Sequence, residues 1–239
     1  MPEYRILTLP GGEPNGGTLH PAIVYDDRDL VLCDAGLPGQ IADLSVQLGL
    51  HGFAVGDVTK VVISHHDHDH VGSLAEIKRA NPDIEVIAHA LEAPFVAGER
   101  RSLRLQQAEA HMRGLSGEPL ESGMRFCAYL ASVEPCGVDT LVEAHGSEIV
   151  PGLTTWNAPG HTPGHVSLFL EEQRVVIAGD ALAVMDGRLG LANPQFTLDL
   201  DRAHDSASAI LAANPRRIVC YHGGEVDPMT QLNADLESR

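Results

Sequence analysis

Six consecutive residues, His65 to His70, all carry imidazole or carboxylate side chains. Imidazole nitrogens and carboxylate oxygens are the groups that bind zinc and other first-row divalent cations in proteins. Without a cation, so many ionisable groups are costly to hold together in one loop. We therefore interpret this segment as a metal-binding loop rather than as an ordinary solvated loop.

The segment lies between two predicted elements of secondary structure. A buried strand is predicted at Lys60 to Ile63, and a helix is predicted from Val71 to Arg79, ending before Asn81 and Pro82. A loop at the carboxyl end of a buried strand can direct its side chains into a cleft. The position of the loop therefore favours a functional site.

The rest of the chain alternates strands with helices. A β-hairpin is predicted from Ala22 to Tyr25 and from Leu30 to Cys33, and a short C-terminal helix is predicted after a strand at Ile218 to Tyr221. The length of 239 residues fits a single layered domain over residues 1–239. Residues 90–125 are rich in helix formers, and we expect them to be a helical insertion into that domain.

Residues 99–110 of the insertion are locally basic, although the chain as a whole is acidic. Four arginines of the insertion stand out, namely Arg100, Arg101, Arg104 and Arg113. Arginine suits bidentate recognition of carboxylates, so substrate binding is one interpretation. Neighbouring glutamates support the other interpretation, a solvated helix with local ion pairs. The apolar residues of the insertion either pack over the domain or contact a second subunit. A homodimer is therefore one of two alternatives.

Composition argues against several classes of partner. The chain carries 16 Lys and Arg against 33 Asp and Glu, a formal net charge of −17. This charge repels nucleic acid and anionic membrane surfaces, so we expect neither as a partner. No segment approaches the roughly 18 apolar residues of a membrane span, and the amino terminus lacks a secretory pattern, so we expect a cytoplasmic protein. The four cysteines are too scattered for a disulfide framework or a paired-cysteine zinc site.

Three later segments complete a set of motifs with the histidine-rich loop. They are Ala158-Pro159-Gly160-His161-Thr162-Pro163-Gly164-His165, Ala178-Gly179-Asp180 and Cys220-Tyr221-His222-Gly223, each after a strand-like run. In this order, the loop and the three segments resemble the H-x-H-x-D-H, P-G-H-T-x-G-H, G-D and terminal-His motifs of the metallo-β-lactamase-fold hydrolases. The resemblance extends from His65 to Gly224.

The resemblance implies a fold, a set of ligands and a mechanism. The fold is of the α/β class, a four-layer αββα sandwich of the metallo-β-lactamase type with the metal cleft at one edge. By resemblance, a first divalent ion is held by His65, Asp67 and His161, a second by Asp69, His70 and His222, and Asp180 bridges both. Two such ions share a bridging hydroxide as the nucleophile, which Asp69 orients. Zinc is the expected metal, with iron or manganese as alternatives. The resemblance gives His165 a supporting role rather than a bond to an ion.

The chain departs from the family pattern at Asp67, where a second motif histidine is usual. Three carboxylates and one hydroxide bring the formal charge of a two-ion centre to about zero, against about +1 with an imidazole at this position. From this charge we expect a harder site that tolerates manganese or iron and whose bound water is less acidic. The alternative is that His66 or His68 replaces Asp67 as the ligand.

The predicted function is hydrolysis of a small-molecule carboxylic ester, lactone or thioester. Asp180 stands where the β-lactamase branches carry Cys or Ser, and it is not followed by the tyrosine typical of quorum-quenching lactonases. Two other functions stay open. A carboxylate at position 67 resembles the di-iron centre of flavodiiron proteins, which reduces oxygen or nitric oxide, and a blocked cleft would leave a non-catalytic metal-binding protein.

Overall fold

Most strands of the molecule belong to two sheets, one from each half of the chain. The structure, a computed structural model, describes residues 2–12, 17–228 and 236. The first half contributes β1 (Glu3–Ile6), β2 (Leu9–Pro10), β3 (Thr18–Leu19), β4 (Ala22–Tyr25), β5 (Leu30–Cys33), β6 (Lys60–Ile63), β7 (Glu85–His89) and β8 (Thr140–Val142). The second half contributes β9 (Glu148–Val150), β10 (Leu153–Asn157), β11 (Val166–Leu170), β12 (Val175–Gly179), β13 (Ala183–Met185), β14 (Arg188–Gly190), β15 (Arg217–Cys220) and β16 (Gly224–Val226).

Each of the two sheets has six strands of mixed direction. Their orders are β1-β4-β5-β6-β7-β8 and β16-β15-β12-β11-β10-β9, while β2 with β3 and β13 with β14 form small ribbons. The predicted hairpin is confirmed, because β4 and β5 pair antiparallel with Ala22 opposite Cys33. Strands β5, β6 and β7 are parallel neighbours, so their carboxyl ends meet at one edge of the first sheet.

Helices cover the outer faces of both sheets. The α-helices of the described residues are α1 (Ile41–Leu50), α2 (His68–Val71), α3 (Leu74–Ala80), α4 (Ala93–Val96), α5 (Leu103–His111), α6 (Glu118–Ala131) and α7 (Leu200–Ala212). The helix predicted from Val71 to Arg79 is instead split between α2 and α3. The predicted C-terminal helix falls almost entirely outside the described residues. Within those residues, no helix has both the length and the apolar character needed to cross a bilayer.

The alternation of buried side chains along each strand creates the four layers. Val62 of β6 packs between the sheets with Ile177 of β12, whereas its neighbour Val61 faces outward toward α1 and α3. In the second sheet, Val176 likewise faces outward and packs against α7. Successive side chains of a strand point to opposite faces, so one strand serves two apolar clusters. The result is the αββα sandwich expected from the resemblance.

Helices α4, α5 and α6 lie between β7 and β8, in the region where a helical insertion was expected. The last of them continues to Ala131, past the expected boundary near residue 125. Helices α5 and α6 share a small apolar cluster formed by Leu105, Cys127 and Leu130. This cluster is separate from the three clusters of the sandwich, so α5 and α6 pack chiefly against each other.

Gly72 lets the histidine-rich loop lie directly against the turn that follows β5. Its backbone N–H donates to the Gly36 carbonyl at 2.9 Å. A Cβ at position 72 would lie 2.2 Å from the Pro38 nitrogen and 2.3 Å from the Leu37 carbonyl carbon. Because backbone cannot move aside as a flexible side chain can, a glycine is required here.

We expect Gly72→Ala to lower the free energy of unfolding by about 3 kcal/mol, because the added methyl group meets backbone. Urea denaturation measures the loss. Gly49→Ala is the matched control, since Gly49 also has helical backbone but nothing lies within 4 Å of its Cβ position. The control should be neutral or gain up to about 1 kcal/mol. Equal losses in the two variants would contradict the close-approach explanation.

Candidate metal centre

The potential ligands all lie at one edge of the sandwich because the loops that carry them follow the ends of neighbouring strands. His65 comes just after β6, and Asp180 comes directly after β12. Strand β12 is parallel to β15, so the segment with His222 emerges beside Asp180. The loop with His161 joins β10 to β11, whose residues Asn157 and Val166 are opposite each other at the same edge.

His65, His161 and Asp180 form one buried group of candidate ligand atoms. The Nε2 atom of His161 lies 3.4 Å from Oδ2 of Asp180. Asp67 joins this group, because its Oδ2 atom lies 3.4 Å from His65 Nε2 and 3.2 Å from His161 Nε2. The side chain of Asp67 therefore faces the first group, as the motif predicts.

Asp69, His70 and His222 form the second group. The Oδ2 atom of Asp69 lies 3.3 Å from His222 Nε2 and 3.7 Å from His70 Nε2. Both imidazole Nε2 atoms also lie 3.4 Å from Oδ1 of Asp180. Asp180 thus presents one oxygen to each group and stands between them. The structure brings together all seven residues named as metal ligands from the sequence.

The spacing and surroundings of these atoms fit metal ions. Ligand bonds of 2.0–2.2 Å in a tetrahedral site place neighbouring donor atoms about 3.3 Å apart. Among the described residues, His65 Nε2, His70 Nε2 and Asp180 Oδ1 are buried without a hydrogen-bond partner. Buried polar atoms are rarely left unpartnered, and these three belong to the two candidate groups. The donor set therefore suits two divalent cations.

The carboxylates dominate the electrostatics of the second group. Burial alone favours neutral imidazole, but the neighbouring carboxylate of Asp180 raises the pKa of His222 to about 10. Burial is likewise outweighed at His70, whose pKa is raised by Asp34, Asp69 and Asp180. In return, the two imidazoles hold the pKa of Asp180 well below its usual range despite its burial. In the protein without metal, protons on the imidazoles offset the carboxylate charge.

Asp34 and Ser64 orient His70 from the side of its Nδ1 atom. Asp34 accepts hydrogen bonds from the backbone N–H and the hydroxyl of Ser64, both at 2.8 Å. Its Oδ2 atom also lies 2.9 Å from Nδ1 of His70, so Nε2 of the same ring faces Asp69 and Asp180. A carboxylate on the far ring nitrogen fixes the orientation of a metal-binding imidazole. Asp34 was not identified from the sequence, although it follows β5 at the same sheet edge.

Glu92 is a second carboxylate that the sequence did not reveal, and it fixes two loops at once. It is fully buried and accepts hydrogen bonds from the backbone N–H of His66 at 3.1 Å and of Gly164 at 2.7 Å. It also contacts Nδ1 of His66. The loops with His65 and His161 are thereby held together, although they belong to different sheets.

Neither alternative ligand of the first group joins it. The Nδ1 atom of His66 contacts Glu92, and its Nε2 atom accepts a hydrogen bond from the backbone N–H of Leu103 at 3.3 Å. The ring of His66 therefore turns away from the candidate ligand atoms. His68 packs instead against the rings of Phe126 and Tyr129, with centroids 5.8 and 5.5 Å away.

Two further side chains hold the second group in place. Nε2 of His165 accepts a hydrogen bond from the backbone N–H of Asp180 at 2.9 Å, which is a supporting contact beneath the site. Burial holds the pKa of His165 well below its usual range, so the ring is neutral. The hydroxyl of Tyr221 donates to the Asp69 carbonyl at 2.5 Å, and its ring lies 3.9 Å from that of His70.

Arg104 enters the site from helix α5. Its Nε and Nη2 atoms donate to Oδ2 of Asp67 at 3.1 and 2.6 Å. The guanidinium therefore offsets the negative charge that a carboxylate adds in place of a neutral imidazole. The expectation of a harder site that tolerates manganese or iron stays a prediction, because a carboxylate oxygen is a hard ligand whether or not a guanidinium lies beside it. The other arginines of the insertion, Arg100, Arg101, Arg113 and Arg125, are exposed.

Comparisons with known proteins identify the family. The sequence profile of the metallo-beta-lactamase superfamily matches residues 16–222. The probable metallo-hydrolase YflN of Bacillus subtilis (strain 168) is 31% identical over 240 residues, covering 92% of this chain and 86% of that protein.

Solved structures show the same fold at lower sequence identity. The metallo-beta-lactamase family protein TTHA1429 from Thermus thermophilus has a TM-score of 0.71 and 23% identity, covering 94% of this chain and 75% of its own. TTHA1623 in a di-iron-bound form has a TM-score of 0.63 and 22% identity, covering 98% and 97%. AidC, a dizinc quorum-quenching lactonase, has a TM-score of 0.62 and 19% identity, covering 92% and 77%.

These similarities agree with the motifs and with the αββα sandwich. The profile extends over most of the chain, and it includes every residue of the two candidate ligand groups. The protein belongs to the metallo-β-lactamase superfamily.

Proposed function

We propose that this protein is a metal-dependent hydrolase that holds two divalent ions and cleaves a carboxylic ester, lactone or thioester. The position of Asp180 carries the proposal, because each of its oxygens lies 3.4 Å from imidazole nitrogens of a different group. A carboxylate between two sets of ligands can hold two divalent ions at the short separation that two-ion hydrolytic centres use. The similarity to a probable metallo-hydrolase supports the same class of reaction.

The distances between the candidate ligand atoms decide which residues we assign to each ion. The first ion is assigned to His65, Asp67 and His161, the second to Asp69, His70 and His222, and Asp180 is shared. When bound, two such ions acidify a shared water and polarise a carbonyl oxygen, which is the chemistry that hydrolysis near neutral pH requires. Zinc fits this set of imidazoles and carboxylates, and so do iron and manganese. AidC is a zinc protein and TTHA1623 binds iron, so the similarities support both metals.

Asp69 is the residue to which we assign proton transfer. Burial opposes ionisation of its carboxyl, but the neighbouring imidazole of His70 and those of His68 and His222 hold its pKa below the usual range. The ionised carboxylate can accept a proton from the nucleophile and pass it to the leaving group. The hydrogen bond from Tyr221 to the Asp69 carbonyl keeps the backbone of this residue in place.

Substrate reaches the centre from the side of the second group. The side chains of His222 and Asp69 are 37% and 16% exposed, whereas that of His161 is 3% exposed. Near Asp69, His68 packs against the rings of Phe126 and Tyr129. Aromatic side chains next to the centre favour an uncharged acyl group or lactone ring over a charged phosphate ester.

The metal content of the purified protein tests the proposed centre. We expect about two divalent ions per chain by elemental analysis. Asp180→Asn removes the shared charge, so it should reduce the content to about one ion or less and lower kcat/KM at least about 100-fold. Asp186→Asn is the control, because Asp186 is an exposed carboxylate in the nearby β13–β14 turn. Full metal content and activity in Asp180→Asn would rule out the shared ligand.

A substrate panel tests the reaction class. We expect turnover of a γ-lactone, an aryl ester or an acyl thioester. We expect none of a phosphate diester, which has no acyl carbonyl, and none of a penicillin, because Asp180 stands where the β-lactamase branches carry Cys or Ser. Oxygen consumption with a chemical reductant is measured in parallel. Iron-coloured protein that consumes oxygen without hydrolysing any ester would support the redox alternative. Metal-loaded protein inactive in both assays would support a binding role.

Metal binding should release protons and strengthen as pH rises. The pKa of His222 is raised to about 10 and that of His70 is also raised, so both rings are protonated at neutral pH in the metal-free protein. An ion must displace those protons, and raising the pH towards 10 reduces the free energy needed to remove them. Calorimetric titration of zinc in two buffers of different ionisation enthalpy measures the number released. Zinc affinity that does not change between pH 6 and pH 8 would contradict this expectation.

A further inference from the structure

The basis of this inference is that Arg104 is fully engaged inside the protein. It is 3% exposed, although it lies in a helical insertion whose other arginines are at the surface. Two of its nitrogens donate to Asp67, and Nη1 contacts Gln107. The guanidinium carbon lies 5.0 Å from the centre of the Phe196 ring. These contacts leave the guanidinium poorly placed to bind the carboxylate of a substrate, the role considered for it from the sequence.

The same guanidinium contacts a second ligand of the first ion. Its Nη2 atom lies 3.3 Å from Nε2 of His161, the nitrogen that faces Asp180. One arginine thus spans Asp67 and His161, whose atoms are 3.2 Å apart. A planar guanidinium with fixed donor directions can set the separation and orientation of two such groups.

The pair also balances charge. A buried carboxylate without a partner is strongly disfavoured, and Asp67 is buried. With Arg104 beside it, the pair is neutral as a whole, as is the imidazole that occupies this position in the family motif. The burial of Asp67 and the hydrogen bonds of Arg104 are independent observations that lead to the same assignment.

We propose that Arg104 is a positioning residue of the first metal site, and that the Asp67–Arg104 pair replaces the neutral imidazole of the family motif. The inference rests on the proposed function for the presence of the ion. It adds a role for the insertion, because Arg104 connects α5 to the centre. Gln107, one turn further along α5, donates to the Gln195 carbonyl at 2.9 Å, so the helix is also fixed on the other side of Arg104.

A double-mutant cycle tests the pair as a unit. The variants are Asp67→His, Arg104→Met and the double variant with both changes. Each single variant leaves one buried charge unpaired, so the melting temperature of the metal-free protein should fall by on the order of 10 °C. The double variant has neither charge, so it should recover most of the loss.

Metal binding supplies a readout beyond stability. In Arg104→Met, Asp67 and His161 lose the guanidinium that sets their separation, so the visible spectrum of bound cobalt should change. In Asp67→His, the unpaired guanidinium repels the first ion, so cobalt content should fall to about one ion per chain. The double variant should return to about two ions, with the visible spectrum of cobalt bound by one more imidazole than in the wild type.

Arg101→Met is the matched control, since Arg101 is an exposed arginine of the same segment that contacts Glu109. It should leave the melting temperature, cobalt content and spectrum unchanged. If the two single losses add in the double variant, or if Arg104→Met retains the wild-type cobalt spectrum and stability, the proposal is wrong. If Arg104→Met does not fold, the double variant tests the proposal. A folded double variant supports the pair, and a double variant that also fails to fold overturns the proposal.

The wild-type protein separates this inference from the proposed function. The wild type could bind no divalent ion while the metal-free double variant recovers its melting temperature. That result would reject the two-ion hydrolase and retain the ion pair. Wild type with about two ions and an additive cycle would reject the pair and retain the two-ion centre.

Discussion

Buried negative charge is the constraint that organises this protein. Five carboxylates, Asp34, Asp67, Asp69, Asp180 and Glu92, lie in or directly behind one edge of the sandwich, and four of them are almost completely buried. Each ionised group must find positive charge or hydrogen-bond donors there. The imidazoles, the guanidinium of Arg104 and the backbone N–H groups of two loops meet this need in part. In the proposed function, two divalent cations complete the balance of charge.

Much of the architecture could be predicted because it depends on local patterns. The hairpin formed by β4 and β5 is visible as two apolar runs around a polar turn, and the ligands come from loops with recognisable spacing. The break between α2 and α3 was not predictable in this way, because it depends on the contact of Gly72 with a turn from another part of the chain. Local preference indicated one continuous helix there, and tertiary packing changed it.

The residues that support the ligands were missed for a related reason. Glu92 belongs to no motif, and its role appears only when the loops of two sheets meet around it. Arg104 was one of four similar arginines, and the sequence gives no sign that it alone turns inward. Its partner Asp67 was recognised as unusual, but the sequence did not indicate which positive charge would neutralise the Asp67 carboxylate. Long-range charge pairing of this kind has no periodicity from which it could be inferred.

The ion pair between Asp67 and Arg104 also has an evolutionary consequence. A lineage that exchanges the carboxylate for histidine must also replace an arginine 37 positions away, in a different element of the fold. Either change made first passes through an ancestor with an isolated charge in its interior, and selection against poorly folded protein acts on that ancestor. On the proposed role of the pair, the two forms of the motif are separated by poorly folded intermediates, and descendants should inherit both residues together.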